Sequence, residues 1–245
     1  MEVTILGTSA AFPTPKRACS SYLITEGRIN LLLDLGASSF RNLAVYARPE
    51  TLDALIITHL HQDHFLDLFP LYYYLKYEAE AEKKLAVYAP PGSSSRLGCL
   101  LGRDGERSLS EVFEFFDIEE GAVTLDRLSI AFAKVKHLEP TFGVAVSAGG
   151  RKLAYSSDSG YSPSLISLAA GADLFICEAT LMEPVSGLDH LTAEEAGRVA
   201  SAASAKRLLL THIWPSIDPE SSRLIAEEHF VSEVLLAEEG EKAVL

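Results

Sequence analysis

Apolar residues in this chain come in two arrangements, and each predicts its own kind of strand. Unbroken runs such as Ala54-Leu55-Ile56-Ile57 and Leu174-Phe175-Ile176-Cys177 read as fully buried strands, because nothing in them suits a wet face. The stretch Ile130-Ala131-Phe132-Ala133-Lys134-Val135-Lys136 instead alternates with a period of two and reads as a strand that delivers His137 at its end.

Taken in order, the pattern predicts strands at 3–6, 21–25 and 29–33, the last two a hairpin at the edge of a sheet turned by Glu26-Gly27-Arg28. A helix at 38–46, a strand at 53–58 and a helical segment from Phe65 follow. A second helix at 71–84 carries Tyr72, Tyr73, Tyr74 and Tyr77, a spacing that suits core plus amphipathic rim better than a base-stacking platform. After a strand at 85–88, Ser108-Leu109-Ser110-Glu111 reads as a capping box for a short helix or as the lead-in to 112–118. The second half predicts a strand within 123–136 and a hairpin of 141–147 with 152–155 across Gly149-Gly150. A helix opening at Ser162-Pro163 and a strand at 173–177 come next. Then come a helix from the capping box Thr192-Ala193-Glu194-Glu195 to Ser204, a strand at 207–211, a helix from Asp218-Pro219 to Phe230 and a last strand at 231–236. Strands first and strand-helix alternation afterwards, repeated in each half, fit an α/β fold of two packed mixed sheets with helices outside.

Composition adds bounds. A chain of 245 residues that is 48% hydrophobic supplies ample core for one α/β domain spanning 1–245. Its formal charge of −13 argues against a large polynucleotide footprint, although Lys16-Arg17, Lys83-Lys84 and Arg151-Lys152 leave room for a local basic mouth. Cys19, Cys99 and Cys177 form no C-x-x-C pair, so reduced thiols in a cytoplasmic protein are expected rather than disulfides or a thiolate zinc site. No stretch is apolar enough for a membrane span, and the first residues lack the basic flank of a leader.

The chemistry concentrates at His59-Leu60-His61-Gln62-Asp63-His64, on the loop between a buried strand and a helix. In extended chain His59 and His61 point the same way and can share one ion, whereas Asp63 and His64, beyond the turn, face a second direction. Imidazole and carboxylate suit Zn²⁺, Mn²⁺ or Fe²⁺ better than Ca²⁺ or Mg²⁺. The bland reading, a polar loop with chance histidines, wastes desolvation unless a ligand uses them. His137, His190 and His212 also fall at expected strand ends or loops, while His229, beside Glu227 and Glu228 in an expected helix, reads as a surface residue. Asp34 ends a strand just before Leu35-Gly36; it could equally cap the helix at 38–46.

The motif Thr58-His59-Leu60-His61-Gln62-Asp63-His64 resembles the His-x-His-x-Asp-His signature of the metallo-β-lactamase superfamily. Within it the chain is similar, over nearly its whole length, to ribonuclease Z and its small phosphodiesterase relatives. Leu6-Gly7-Thr8-Ser9-Ala10-Ala11-Phe12-Pro13-Thr14-Pro15-Lys16-Arg17, Tyr155-Ser156-Ser157-Asp158, Glu178-Ala179-Thr180, His190-Leu191-Thr192 and Leu210-Thr211-His212 follow in family order.

The resemblance implies an αββα sandwich with two divalent ions, zinc first and manganese or iron as alternatives. One ion would take His59, His61 and His137, the other Asp63, His64 and His212, with Asp158 bridging and Asp34 orienting a metal-binding histidine. It also implies catalytic roles for Asp63, for His190 as the acid that protonates the leaving oxygen, and for Glu178 behind it. Lys16 and Arg17 would bind substrate. The implied substrate is a phosphodiester, either an RNA 3′ end or a small or cyclic nucleotide; a homodimer is allowed. Two departures stand out. Cys177 replaces the His that usually precedes the Glu-Ala-Thr motif. Between His137 and Asp158 there is room for one hairpin, not for the tRNA-clamping arm of long-form ribonuclease Z. Rival readings are a thioester or lactone hydrolase on the same scaffold and a metal-bearing interaction protein without catalysis.

Overall fold

The computed structural model describes residues 1–79, 83–137 and 140–245. In the first half, β1 (Glu2–Gly7), β2 (Ser21–Glu26) and β3 (Ile29–Leu33) run as an antiparallel meander. They are followed by α1 (Ser39–Tyr46), β4 (Ala54–Ile56), α2 (Gln62–Phe65), α3 (Leu68–Tyr77) and β5 (Leu85–Ala89). Next are α4 (Ser93–Gly98), α5 (Gly105–Val112) and β6 (Phe113–Asp117). The second half repeats the plan with β7 (Gly121–Leu125), β8 (Leu128–Lys134), β9 (Phe142–Ala148), β10 (Arg151–Tyr155), α6 (Pro163–Ala169) and β11 (Leu174–Glu178). It finishes with α7 (Ala193–Ala202), β12 (Arg207–Thr211), α8 (Pro219–Glu227), β13 (Glu233–Leu236) and β14 (Lys242–Val244).

Two sheets of seven strands result, ordered β14-β1-β2-β3-β4-β5-β6 and β13-β12-β11-β10-β9-β8-β7. From β3 to β6 and from β10 to β13 all pairings are parallel. Period-two alternation sends Leu31, Leu33 and Ile56 to the layer between the sheets, while Leu32, Leu55 and Ile57 face the helices. A third apolar layer lies under α6, α7 and α8. Both faces of the central strands are therefore covered, which is why they appear in sequence as unbroken apolar runs. The architecture is the αββα sandwich.

Several local expectations need correction. The hairpin of β2 and β3 is internal, because β14, a strand absent from the sequence reading, pairs with β1 on one side and β4 continues on the other. Ser108 to Glu111 is no capping box. The helix starts a turn earlier at Gly105, where an added Cβ would stand 1.9 Å from the Gly98 carbonyl oxygen, so the close crossing of α4 and α5 fixes the start. The tyrosine helix runs from Leu68 to Tyr77; of its expected continuation, residues 80–82 lie outside those described. Tyr72 is buried and Tyr73 and Tyr77 are exposed, as core plus rim requires. The last helix stops at Glu227, leaving His229 half-buried beyond its end. At Thr192 the capping box does form, with Glu195 N–H donating to Thr192 Oγ1 at 3.2 Å and Thr192 N–H to Glu195 Oε2 at 3.0 Å. No helix among the described residues is long and apolar enough to cross a membrane.

Candidate metal centre

Parallel strands end together, and their C-terminal ends in both sheets meet at one place. Asp34 follows β3, His59, His61, Asp63 and His64 follow β4, Asp158 follows β10, Glu178 closes β11 and His212 follows β12. The backbone bends sharply to present them. Asp34, Ser157 and His212 have φ of 54°, 54° and 51°, a left-handed conformation that non-glycine residues adopt at a cost and that recurs at functional sites.

Ring nitrogens and carboxylate oxygens converge in three overlapping groups. One holds His59, His61, His137 and Asp158, a second Asp63, His64 and His212, and a third Asp158, His190 and His212, and within each group the ligand atoms lie within 4.8 Å of one another. Asp158 stands between the first two. Its Oδ1 is 3.2 Å from His64 Nε2 and 3.4 Å from His212 Nε2, while its Oδ2 is 3.4 Å from His59 Nε2 and 3.9 Å from His137 Nε2.

The outer nitrogens of His64, His137 and His212 are tied down, which leaves their inner ones to face the centre. His137 Nδ1–H donates to the Asp189 carbonyl at 3.0 Å. His212 Nδ1–H donates at 2.9 Å to Thr180 Oγ1, whose own proton goes to Glu178 Oε2 at 2.5 Å. His64 Nδ1–H donates to Asp34 Oδ2 at 2.7 Å, and the same carboxylate accepts from Thr58 N–H, Thr58 Oγ1 and the Tyr155 hydroxyl at 2.8 to 3.0 Å. Asp34 thus orients His64 and does not cap α1, whose N-cap residue is Ser38. Asp63 Oδ2 accepts the Ala11 N–H at 2.7 Å and stands 3.1 Å from His212 Nε2.

Electrostatics shows what this arrangement is suited to hold. Burial, then the neighbouring His64, pushes the His59 pKa down to about 4, so the ring is neutral at pH 7 and offers a lone pair on one of its nitrogens. Its buried Nε2 and Asp158 Oδ1 have no hydrogen-bond partner among the described residues. A lone pair facing a carboxylate is repulsive unless a cation stands between them. Burial opposes charge on His64, yet Asp158, Asp34 and Asp63 override it and raise its proton affinity well above that of ordinary imidazole. Against the same penalty, His212 and His64 hold Asp158 well below the usual carboxylate range. The pocket calls for positive charge, and its N and O donors fit divalent transition metals.

Next to the centre, His190 Nδ1 is 2.9 Å from Glu178 Oε1, and its ring packs edgewise on His137 with centroids 4.9 Å apart. Glu178 is fully buried and also accepts the N–H groups of Ser159 and Leu191 at 2.6 and 3.2 Å. Burial alone would lower the His190 pKa; the Glu178 carboxylate reverses this and holds it at about 9. Lys16 and Arg17 stand apart from the imidazoles and line a groove with Thr8, Pro215, Glu238 and Glu239. Thr58, Tyr155, Ser157 and Thr180 stand in the motifs quoted from the sequence without a role of their own; their hydroxyls hold the ring nitrogens and Asp34.

Comparison with known proteins agrees with this geometry. The family model described as "Beta-lactamase superfamily domain" matches residues 29–213. An uncharacterised protein of Mycobacterium tuberculosis is 34% identical over 238 residues, covering 93% of this chain and 86% of the relative. The probable metallo-hydrolase YhfI of Bacillus subtilis is 29% identical over 98% of each chain. Its crystal structure superposes with a TM-score of 0.89, covering 99% of this chain and 98% of that one. The short form of human tRNase Z is 26% identical with a TM-score of 0.80, over 100% of this chain and 99% of that one.

Proposed function

The chain belongs to the β-lactamase superfamily, and from that premise we propose that its 245 residues form one cytoplasmic, binuclear phosphodiester hydrolase. It resembles ribonuclease Z, without a tRNA-clamping arm among the described residues. The observation that carries the reading is the division of Asp158, one carboxylate oxygen toward each group of histidines. Two dications close together need such an anion between them.

His59, His61 and His137 would hold one ion, Asp63, His64 and His212 the other, with zinc the best match to the donors. Ions held there would supply an activated water and neutralise charge on the phosphoryl oxygens. Asp63, fixed by the Ala11 N–H, aligns the attacking water. His190 carries its proton on the nitrogen not bound to Glu178 and delivers it to the leaving oxygen, while Glu178 keeps the ring charged and oriented. Lys16 and Arg17, in the neighbouring groove, would steer the rest of a polyanionic substrate.

The human relative's name points to tRNA, but two features favour small or cyclic nucleotides as the second reading. Among the described residues, only the β9–β10 hairpin stands between His137 and Asp158, and the net charge is −13. Parallel assays on 3′-extended precursor tRNA, cyclic AMP and bis(p-nitrophenyl) phosphate test both. Activity on a lactone or thioester and none on the phosphodiesters would overturn the proposal.

A further inference from the structure

The loop after β1 and the segment after β12 each leave one large aromatic side chain in water. Phe12 is 49% exposed and Trp214 is 40% exposed. Their rings meet edge to face at 90°, with centroids 6.0 Å apart. Both are tied to the metal centre through one oxygen. Phe12 follows Ala11, whose N–H donates to Asp63 Oδ2 at 2.7 Å, and Trp214 lies two residues after His212, whose Nε2 is 3.1 Å from that same oxygen. A backbone bridge joins Ser9 to Ile213, and Ser9 Oγ donates to the Phe12 carbonyl at 2.8 Å, so the two segments run side by side.

A pair that served only as a clip between these segments would bury its rings, because exposed aromatic area forgoes hydrophobic stabilisation. A large flat apolar ring left partly in water beside a phosphate-handling centre matches one ligand chemistry, a nucleobase. We propose that Trp214, braced by Phe12, is the stacking surface for the base of a nucleotide whose phosphate lies at the metal centre. This rests on the phosphodiesterase reading and narrows its substrate class to base-bearing phosphodiesters.

Trp214 is the only tryptophan in the chain, so fluorescence excited at the red edge of the absorption band, beyond the reach of the nine tyrosines, reports on this position alone. Adenosine 5′-monophosphate should change that emission saturably, whereas ribose 5-phosphate, with the same sugar and phosphate but no base, should not. The kinetic counterpart compares two esters with one leaving group, thymidine 5′-(p-nitrophenyl) phosphate and methyl p-nitrophenyl phosphate. Trp214→Ala should lower kcat/KM for the thymidine ester about 5- to 150-fold more than for the methyl ester, the span of a stacked base. Trp214→Phe should restore most of the difference, separating lost stacking from lost folding. Equal responses to the two ligands, or equal losses on the two esters, overturn the proposal. A wild-type enzyme inactive on both esters counts against the phosphodiesterase reading, and the fluorescence titration then decides the stacking site by itself.

Discussion

His190 Nδ1 lies 2.9 Å from Glu178 Oε1, joining a ring at the rim of the centre to a carboxylate that is wholly buried. The buried acid cannot reach substrate, so it acts through its partners, the His190 ring and the Thr180 hydroxyl that holds His212. If His190 is the general acid, His190→Ala should keep its metals and lose roughly 10²–10⁴ in turnover on esters with an alkoxide leaving group. The loss on bis(p-nitrophenyl) phosphate, whose leaving group needs little protonation, should be far smaller. Equal losses with metal content intact would make His190 a positioning residue.

The same pair sets a pH dependence. Glu178 raises the His190 pKa to about 9, so the acid form is present at neutral pH and is lost as pH rises through that value. Turnover on alkoxide esters should therefore show an alkaline limb near pH 9. In Glu178→Gln the limb should fall toward ordinary imidazole, about 6.5. A pH profile in which the substitution leaves the limb in place removes His190 from the acid role.

Two metals per chain are expected in protein purified without chelator, since seven N and O donors exceed one tetrahedral site. Elemental analysis checks this, and a stoichiometry below one after reconstitution would contradict it. Stripping the ions should also lower Tm by several degrees, because saturating ligand adds roughly 2–4 kcal/mol to the folded state.

Asp34 accepts four hydrogen bonds while fully buried. Asp34→Ala should cost about 3–5 kcal/mol, mostly by stranding the His64 nitrogen and the Tyr155 hydroxyl. Metal affinity should fall about 10- to 100-fold through His64. Denaturant melts and metal titration measure the two effects separately; an affinity unchanged in a folded variant would mean that Asp34 is structural only.

Much of this was readable in the chain because the central strands are covered on both faces and so write themselves as apolar runs that end in histidine or aspartate. The run 54–57 and the motif after it locate the first half of the centre, and Leu208 to Leu210 point to His212. Other features depend on contacts that sequence spacing cannot show. Asp34 reads equally as a helix cap until His64, thirty residues away, is found against it. Lys242-Ala243-Val244 is too short to announce a strand, and it becomes one only because β1 offers an open edge. Phe12 and Trp214 have no shared pattern in sequence; the Ser9 to Ile213 bridge brings them together.

The groups of the centre come from both sheets, with Asp34, His59 and His64 on one side and Asp158 and His212 on the other. A cation gripped from both sides acts as a removable crosslink between segments distant in sequence. Such a link closes only after the sheets have docked, so it does little to hasten folding. It resists their separation instead, and slower unfolding is where its stabilisation is felt. The supply of metal would then govern how long the native chain lasts more than how quickly it forms.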